Sequence, residues 1–137
     1  MENAKAKILW DTPFQLEKAP ENGANKIDIA VLDKENNLWL LMEGTVCQVG
    51  KIEEKTSLKQ EKYNDLRKGI KNLYKGCKVT QINIVFDFLG GYHIKLEKEL
   101  HHIIGNKKQT DYLIKKCQKW LVSQNNEIVK SFYVYTH

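Results

Sequence analysis

Two acidic residues in neighbouring apolar runs have the types and spacing to do chemistry together. Asp28 lies in the run 26–33 and Glu43 in the run 38–46, and both runs are rich in β-branched, aromatic and aliphatic residues. If the runs pair antiparallel across a turn at 34–37, Asp28 faces Glu43 with Cβ atoms about 5 Å apart. Opposed carboxylates favour a shared proton or cation, and Mg²⁺ binds carboxylate oxygens while keeping waters for chemistry. The alternative is a frayed strand end with both side chains in water.

A basic stripe on the helix predicted from Ile52 to Lys75 adds to this pair. Apolar residues recur at three- and four-residue spacing in the second half of that helix. Continued backwards at about 100° per residue, the stripe becomes basic, with Lys62, Lys59 and Lys55 on the same side. Lysines in the first half of a helix oppose its dipole, so they are explained if that end faces the acidic pair or a phosphate. The alternative is that lysine stems cover the rim of the core.

Composition sets the class of protein and of partner. A chain of 137 residues with 42% hydrophobic and 28% charged residues suits one globular domain spanning 1–137. The net charge of +5 favours a polyanion, and because Arg67 is the only arginine, phosphate contacts are expected rather than readout of base edges. No apolar run could span a bilayer and the first residues lack a signal-peptide core, so we expect a nuclear or cytoplasmic protein, not secreted and with no membrane partner.

The cysteines do not have the spacing of a zinc site or a disulfide framework. Cys47, Cys77 and Cys117 are odd in number and far apart, which predicts free buried thiols. The four histidines form no ligand pattern with them.

The remaining predicted strands and helices indicate an α/β fold. We predict an edge strand at 7–10, a buried strand at 79–89, helices at 94–104 and 110–123, and a β-prone run at 131–135. Because a strand, a helix and a buried strand follow one another, we expect a crossover connection and a mixed central β-sheet flanked by helices.

Two finer predictions concern the second half of the chain. Ile94, Leu100 and Ile103 are expected to be core contacts of the helix at 94–104. Asp87 lies between two phenylalanines near the end of the buried strand and is a third acidic candidate. A solvated side chain at a strand end is the alternative for Asp87.

Several short motifs resemble one family. The stretches 25–31, 40–43 and 61–66 resemble the restriction-like endonuclease domain at the C-terminus of the reverse transcriptase polyproteins of site-specific non-LTR retrotransposons. The family pattern is roughly Asn-Arg/Lys-Pro-Asp-Ile-Val, a hairpin, Leu-Ile-Asp-x-Ala, then a helix with Glu-Lys-x-x-Lys-Tyr-x-x-Leu. The Trp10-Asp11 pair and the strand before Gly90-Gly91 are also similar to family features. The likeness extends from Leu9 to about Lys119.

The resemblance implies a fold and an activity. The family belongs to the PD-(D/E)XK nuclease superfamily, which would give a restriction-endonuclease-like core and a Mg²⁺-dependent (or Mn²⁺-dependent) endonuclease that nicks DNA. By position, Asp28 and Glu43 would hold the metal. Lys62 would position or activate the attacking water, with Lys59 and Lys55 as neighbours that could substitute.

The resemblance also implies partners and carries two departures. Besides DNA, the implied partners are the other domains of a reverse transcriptase polyprotein. The lysines expected on the DNA backbone are Lys51, Lys55, Lys59 and Lys68. Ile27 stands where the family usually has proline, and Thr45 stands where the wider superfamily places its catalytic lysine. In the family that position is often apolar, and the lysine comes from the helix.

Two other functions stay open from the sequence. The first is a catalytically inactive nucleic-acid-binding or interaction module derived from such a domain, which would bind DNA in a salt-dependent way without cleavage. The second is a structural α/β domain with no nucleic-acid role.

Overall fold

The structure is a computed structural model that describes residues 2–116, 118 and 119. The strands are β1 (Ala6–Trp10), β2 (Ile29–Asp33), β3 (Leu38–Cys47) and β4 (Lys78–Asp87), and the helices are α1 (Ile52–Lys62), α2 (Asn64–Leu73) and α3 (Ile94–Ile104). Residues 107–116, 118 and 119 are also helical. The strands form one mixed sheet in the order β1-β2-β3-β4. The predicted α/β class and mixed sheet are therefore confirmed.

The described residues fall into two compact units. The first unit contains residues 2–43 and 57–83, and the second contains residues 44–56 and the described residues from Ile84 onward. Strands β3 and β4 and helix α1 contribute residues to both units. The single domain expected from 1 to 137 stays a prediction. Within the described ranges no helix has the length and apolarity needed to cross a membrane.

The β2–β3 hairpin has the predicted register. Ala30 pairs with Leu41 and Ile29 pairs with Met42, so the next opposed positions are Asp28 and Glu43. The turn forms because the Asp33 carboxylate accepts the backbone N–H of Glu35 and of Asn36 at 3.1 and 3.2 Å and the side-chain amide of Asn36 at 2.7 Å. These hydrogen bonds, that from the Asn36 side chain above all, lower the pKa of Asp33.

The core of the first unit covers one face of this hairpin. Alternate residues of β3 are buried, and Trp39 and Leu41 are fully inaccessible to solvent. Leu66 and Ile70 of α2 pack into the same cluster, and the Trp39 indole contacts Phe14 edge-on at a centroid distance of 5.2 Å. The hydrophobic burial of this face fixes the strand register, because a shift of one residue would turn every core side chain outward.

The helix predicted from Ile52 to Lys75 is in fact two helices, so that prediction is wrong at its centre. The chain leaves the helix at Tyr63, whose φ and ψ are −101° and 14°. The Tyr63 side chain is buried in the core with 2% exposure. Periodicity could not reveal this break, because the stripe keeps its helical spacing across it, with lysines before Tyr63 and apolar residues after it. Gly76, with a φ of 81°, lies just beyond α2.

Asp87 ends β4 in the second unit as a buried turn residue, so its solvated alternative is wrong. Its carboxylate accepts the backbone N–H groups of Leu89 at 2.9 Å and Gly91 at 2.8 Å. A side chain at Gly91 would meet this carboxylate, because an added Cβ atom would lie 2.5 Å from Asp87 Oδ2. Gly91 therefore leaves room for the Asp87 carboxylate in this turn.

Helix α3 of the second unit has the predicted bounds, but its core face differs in part. Leu96 and Leu100 are buried, whereas Ile94 and Ile103 are 64% and 39% exposed. Leu100 is thus confirmed, and the core positions predicted for Ile94 and Ile103 are wrong. The expected strand at 131–135 and the end of the expected helix at 110–123 lie outside the described residues.

Two cysteines are free buried thiols, as predicted. Cys77 belongs to the first unit and Cys47 to the second. Burial raises the pKa of both thiols. Cys117 lies outside the described residues.

Candidate active site

Glu43 is the centre of the candidate site. It follows Trp39 and Leu41 on the core face of β3, and it is only 7% exposed. A buried carboxylate needs hydrogen-bond partners or cations to offset its lost hydration. Glu43 has three: the Asp28 backbone N–H at Oε2, and the Tyr63 hydroxyl and the Lys59 ammonium at Oε1.

Asp28 lies immediately before β2, at the position opposite Glu43. Its backbone N–H donates to Glu43 Oε2 at 3.2 Å, and its carbonyl accepts the Asp11 N–H at 2.9 Å. Its side chain is exposed, whereas that of Glu43 is buried. The hairpin therefore places Asp28 opposite Glu43, with Glu43 buried and Asp28 exposed.

Lys59 is the lysine that reaches the acidic pair. Its Nζ lies 3.1 Å from Glu43 Oε1, and the side chains of Lys59 and Glu43 are 23% and 8% exposed. Lys62, the lysine assigned by the resemblance, is exposed, and its Nζ lies 5.1 Å from the centroid of the Tyr63 ring. Lys59 is thus the helix lysine in contact with Glu43, and the convergence of both acids with a lysine stays a prediction.

Tyr63 is a member of the site to which the sequence interpretation gave no role. Its hydroxyl donates to Glu43 Oε1 at 2.9 Å. Burial raises the pKa of Tyr63 far above its ordinary value, and the hydrogen bond to Glu43 and the charges of Glu43 and Asp28 raise it further. The phenol therefore stays a proton donor at neutral pH. The Lys-Tyr pair of the family motif was the signal that pointed to it.

The other predicted lysines have different surroundings. Lys68 lines a cleft of about 260 Å³ in the first unit together with Lys18, Glu21, Asp65 and Asn72. In the second unit, Lys55 is exposed and Lys51 forms an exposed ion pair with Glu54 at 3.2 Å.

The donor set of the site fits a hard divalent cation. A carboxylate oxygen has two lone pairs, so Glu43 Oε2 can bind a cation as well as accept the Asp28 N–H. Asp28 supplies a second carboxylate with access to solvent. Two protein carboxylates plus waters is a usual coordination for Mg²⁺. Within the described ranges, no group of three or more acids, histidines or cysteines could hold a metal ion.

Comparisons with known proteins add no family to this geometry. No protein-family model matches the sequence, and no curated protein matches it. The likeness to restriction-like endonucleases thus rests on the motifs quoted above.

Proposed function

We propose that this chain is a metal-dependent DNA endonuclease domain of retrotransposon origin, with a restriction-endonuclease-like core. The observation that carries the proposal is the arrangement around Glu43. This buried carboxylate lies opposite Asp28 across a hairpin and is ion-paired to Lys59 at 3.1 Å. Two acids and a lysine at one end of a sheet are the groups that hydrolysis of a phosphodiester with a bound metal requires.

Asp28 and Glu43 would hold Mg²⁺ or Mn²⁺. The bound ion would supply an acidified water and neutralise charge on the phosphate. Asp28 is suited to this role by its exposure, because a cation can reach it from solvent. Glu43 is suited by its fixed orientation, which the Tyr63 hydroxyl and the Asp28 N–H impose through hydrogen bonds of 2.9 and 3.2 Å.

Lys59 would act on the phosphate or on the attacking water. An ammonium group has three N–H donors, and the bond to Glu43 uses one of them. The others can donate to a phosphate oxygen or to a water beside it. Because Glu43 fixes the ammonium and α1 carries its stem, Lys59 would be in position before DNA binds.

A plasmid-nicking assay with Mg²⁺ tests the proposal. Asp28→Ala and Glu43→Gln are expected to reduce the nicking rate by at least about 100-fold, since each removes a carboxylate from the charged site. Glu35→Gln, in the exposed hairpin turn, makes the same change as Glu43→Gln and is expected to nick at the wild-type rate. Undiminished nicking by Asp28→Ala or Glu43→Gln would refute the proposal.

The second candidate function is a nucleic-acid-binding module without catalysis. Glu43 Oε1 accepts hydrogen bonds from both the Lys59 ammonium and the Tyr63 hydroxyl. These contacts favour the second function, because the Lys59–Glu43 ion pair can stabilise the fold without taking part in catalysis. Titration calorimetry with Mn²⁺ separates the two functions. A nuclease site gives heat that Asp28→Ala abolishes, whereas an inactive module gives none that depends on Asp28 and still binds DNA in a salt-dependent way. Absence of DNA binding at low salt would leave a structural domain.

A further inference from the structure

The last turn of α1, which carries Lys59, is held by side chains instead of by the next turn of helix. The last carbonyls of a helix lack the next turn of backbone N–H groups. Here α1 ends at Lys62, and the chain leaves the helix at Tyr63. The side chains of Gln81, Arg67 and Asn22 donate to the carbonyls of Lys59, Gln60 and Lys62 at 3.1, 2.8 and 2.8 Å, respectively.

Gln81 is the member that bonds directly to the Lys59 backbone, and its own amide is fully engaged. Its Nε2 donates to the Lys59 carbonyl at 3.1 Å and to Asn83 Oδ1 at 2.8 Å, while its Oε1 accepts from Arg67 Nη1. These contacts leave the amide one orientation, because the nitrogen must face the two oxygens and the oxygen must face the guanidinium. A strand residue therefore fixes the backbone of the helix residue that reaches Glu43.

Arg67 completes the support. Its Nη1 donates to the Gln60 carbonyl at 2.8 Å and to Gln81, and its Nη2 donates to Asn64 Oδ1 at 3.3 Å. A planar guanidinium can bridge several acceptors at once, which an ammonium group does not do with the same geometry. Arg67 thus ties the end of α1, the start of α2 and strand β4 together.

We propose that Gln81, oriented by Arg67, is a positioning residue that sets the Lys59 ammonium against Glu43. The contact itself is independent of the activity, whereas its effect on rate rests on the proposed nuclease function. Gln81 bonds to the Lys59 carbonyl and not to its ammonium, so its role is to position Lys59 and not to contact substrate.

Gln81→Glu is the variant that tests the inference. It is isosteric and keeps an acceptor for Arg67, but it replaces the donor to Lys59 by an oxygen that repels the Lys59 carbonyl. Gln15→Glu, at an exposed position of the first unit, makes the same change in charge and serves as the matched control. Arg67→Lys removes the fork that orients Gln81 and is expected to act in the same direction.

The readout that does not depend on activity is the side-chain ammonium signal of Lys59 in ¹H–¹⁵N NMR. Hydrogen bonding to Glu43 shields this ammonium from exchange with water, so the signal is expected in the wild type and in Gln15→Glu. It is expected to broaden or vanish in Gln81→Glu, while the backbone amide spectrum shows that the protein is folded. An unchanged Lys59 signal in folded Gln81→Glu would overturn the inference.

The activity readout then links the inference to function. In the nicking assay, Gln81→Glu is expected to reduce kcat by about 10- to 100-fold with little change in KM, because displacement of a reacting group by about 1 Å costs on that order. If the wild type does not nick DNA, the proposed function fails, yet the Lys59 signal still decides the positioning role. If the wild type nicks and Gln81→Glu nicks equally fast, the positioning role fails alone.

Discussion

Replacing Lys59 by methionine, beside the same replacement of Lys62, tests the geometry of the site most directly. Both substitutions remove one ammonium and keep most of the aliphatic stem. Lys59 Nζ lies 3.1 Å from Glu43 Oε1, whereas Lys62 Nζ lies 5.1 Å from the Tyr63 ring centroid. The two variants therefore share their change in charge and volume but break different contacts.

The expected cost follows from the surroundings of each lysine. At the 3.1 Å separation of Lys59 and Glu43, and an effective dielectric constant of about 20, the attraction is about 5 kcal/mol. Desolvation of Glu43 and screening at the partly exposed Lys59 offset much of it. Because Tyr63 and the Asp28 N–H still donate to Glu43, we expect Lys59→Met to lower the free energy of unfolding by about 1–3 kcal/mol. For the exposed Lys62, about 0.5 kcal/mol is expected.

Urea unfolding at pH 7 measures both costs, and a double-mutant cycle with Glu43→Gln isolates the pair. Coupling of at least about 1 kcal/mol is expected between Lys59 and Glu43, and close to zero between Lys62 and Glu43. In the nicking assay, Lys59→Met is expected to lose far more rate than Lys62→Met. Equal costs for the two methionine variants, or coupling of Glu43 to Lys62 instead, would refute this account of the site.

Three further predictions follow from single contacts. Tyr63→Phe is expected to cost about 2 kcal/mol in urea unfolding, because it removes a buried hydrogen bond to a carboxylate. Since the pKa of Tyr63 is raised, its contribution is full below the ordinary value of 10.0. Above it the wild type should lose about 1.4 kcal/mol per pH unit relative to Tyr63→Phe, and parallel pH curves would contradict this. Gly91→Ala is expected to cost about 1–3 kcal/mol, because its Cβ atom would overlap the Asp87 carboxylate; a thermal melt at the wild-type temperature would exclude that overlap. The pKa of Asp33 is lowered, so its contribution exists above the ordinary value of 3.8 and disappears as pH falls below it; Asp33→Asn should therefore match the wild type in acid and be less stable at pH 7.

The β2–β3 hairpin and the identity of its buried face could be predicted from the sequence, because strand propensity, turn residues and the pattern of apolar residues agree there. Strand-forming residues flank a polar turn, and the buried positions Ala30, Trp39 and Leu41 alternate with partly buried ones. A period of two leaves only one register that buries all three. That register alone places Glu43 opposite Asp28.

Which lysine contacts Glu43 could not be predicted from helical periodicity. Lys59 and Lys62 are three residues apart and share a face of a continuous helix. At the break the Tyr63 ring is buried, and the end of α1 is bonded by the side chains of Asn22 and Gln81, which are distant in sequence. Periodicity within the helix carries no information about such partners.

The core face of α3 shows the same limit. Ile94, Leu100 and Ile103 are equally apolar, yet only Leu100 is buried, beside Leu96. Which apolar positions of a short helix turn inward depends on its rotation against neighbouring elements. The bounds, by contrast, follow from local caps: the His93 side chain accepts the Lys95 N–H at the start, and Gly105 adopts a left-handed conformation with a φ of 71° at the end.

The two buried thiols can be used to measure local unfolding of this protein. A thiol that is inaccessible and holds its proton reacts with an alkylating agent only while its surroundings are open. Cys77 samples the first unit and Cys47 the second. Labelling rates followed peptide by peptide in a mass spectrometer would thus give a separate opening free energy for each unit, without introducing a probe. Equal rates at both cysteines would mean that the two halves open as one, and a faster rate at one would show which half loosens first.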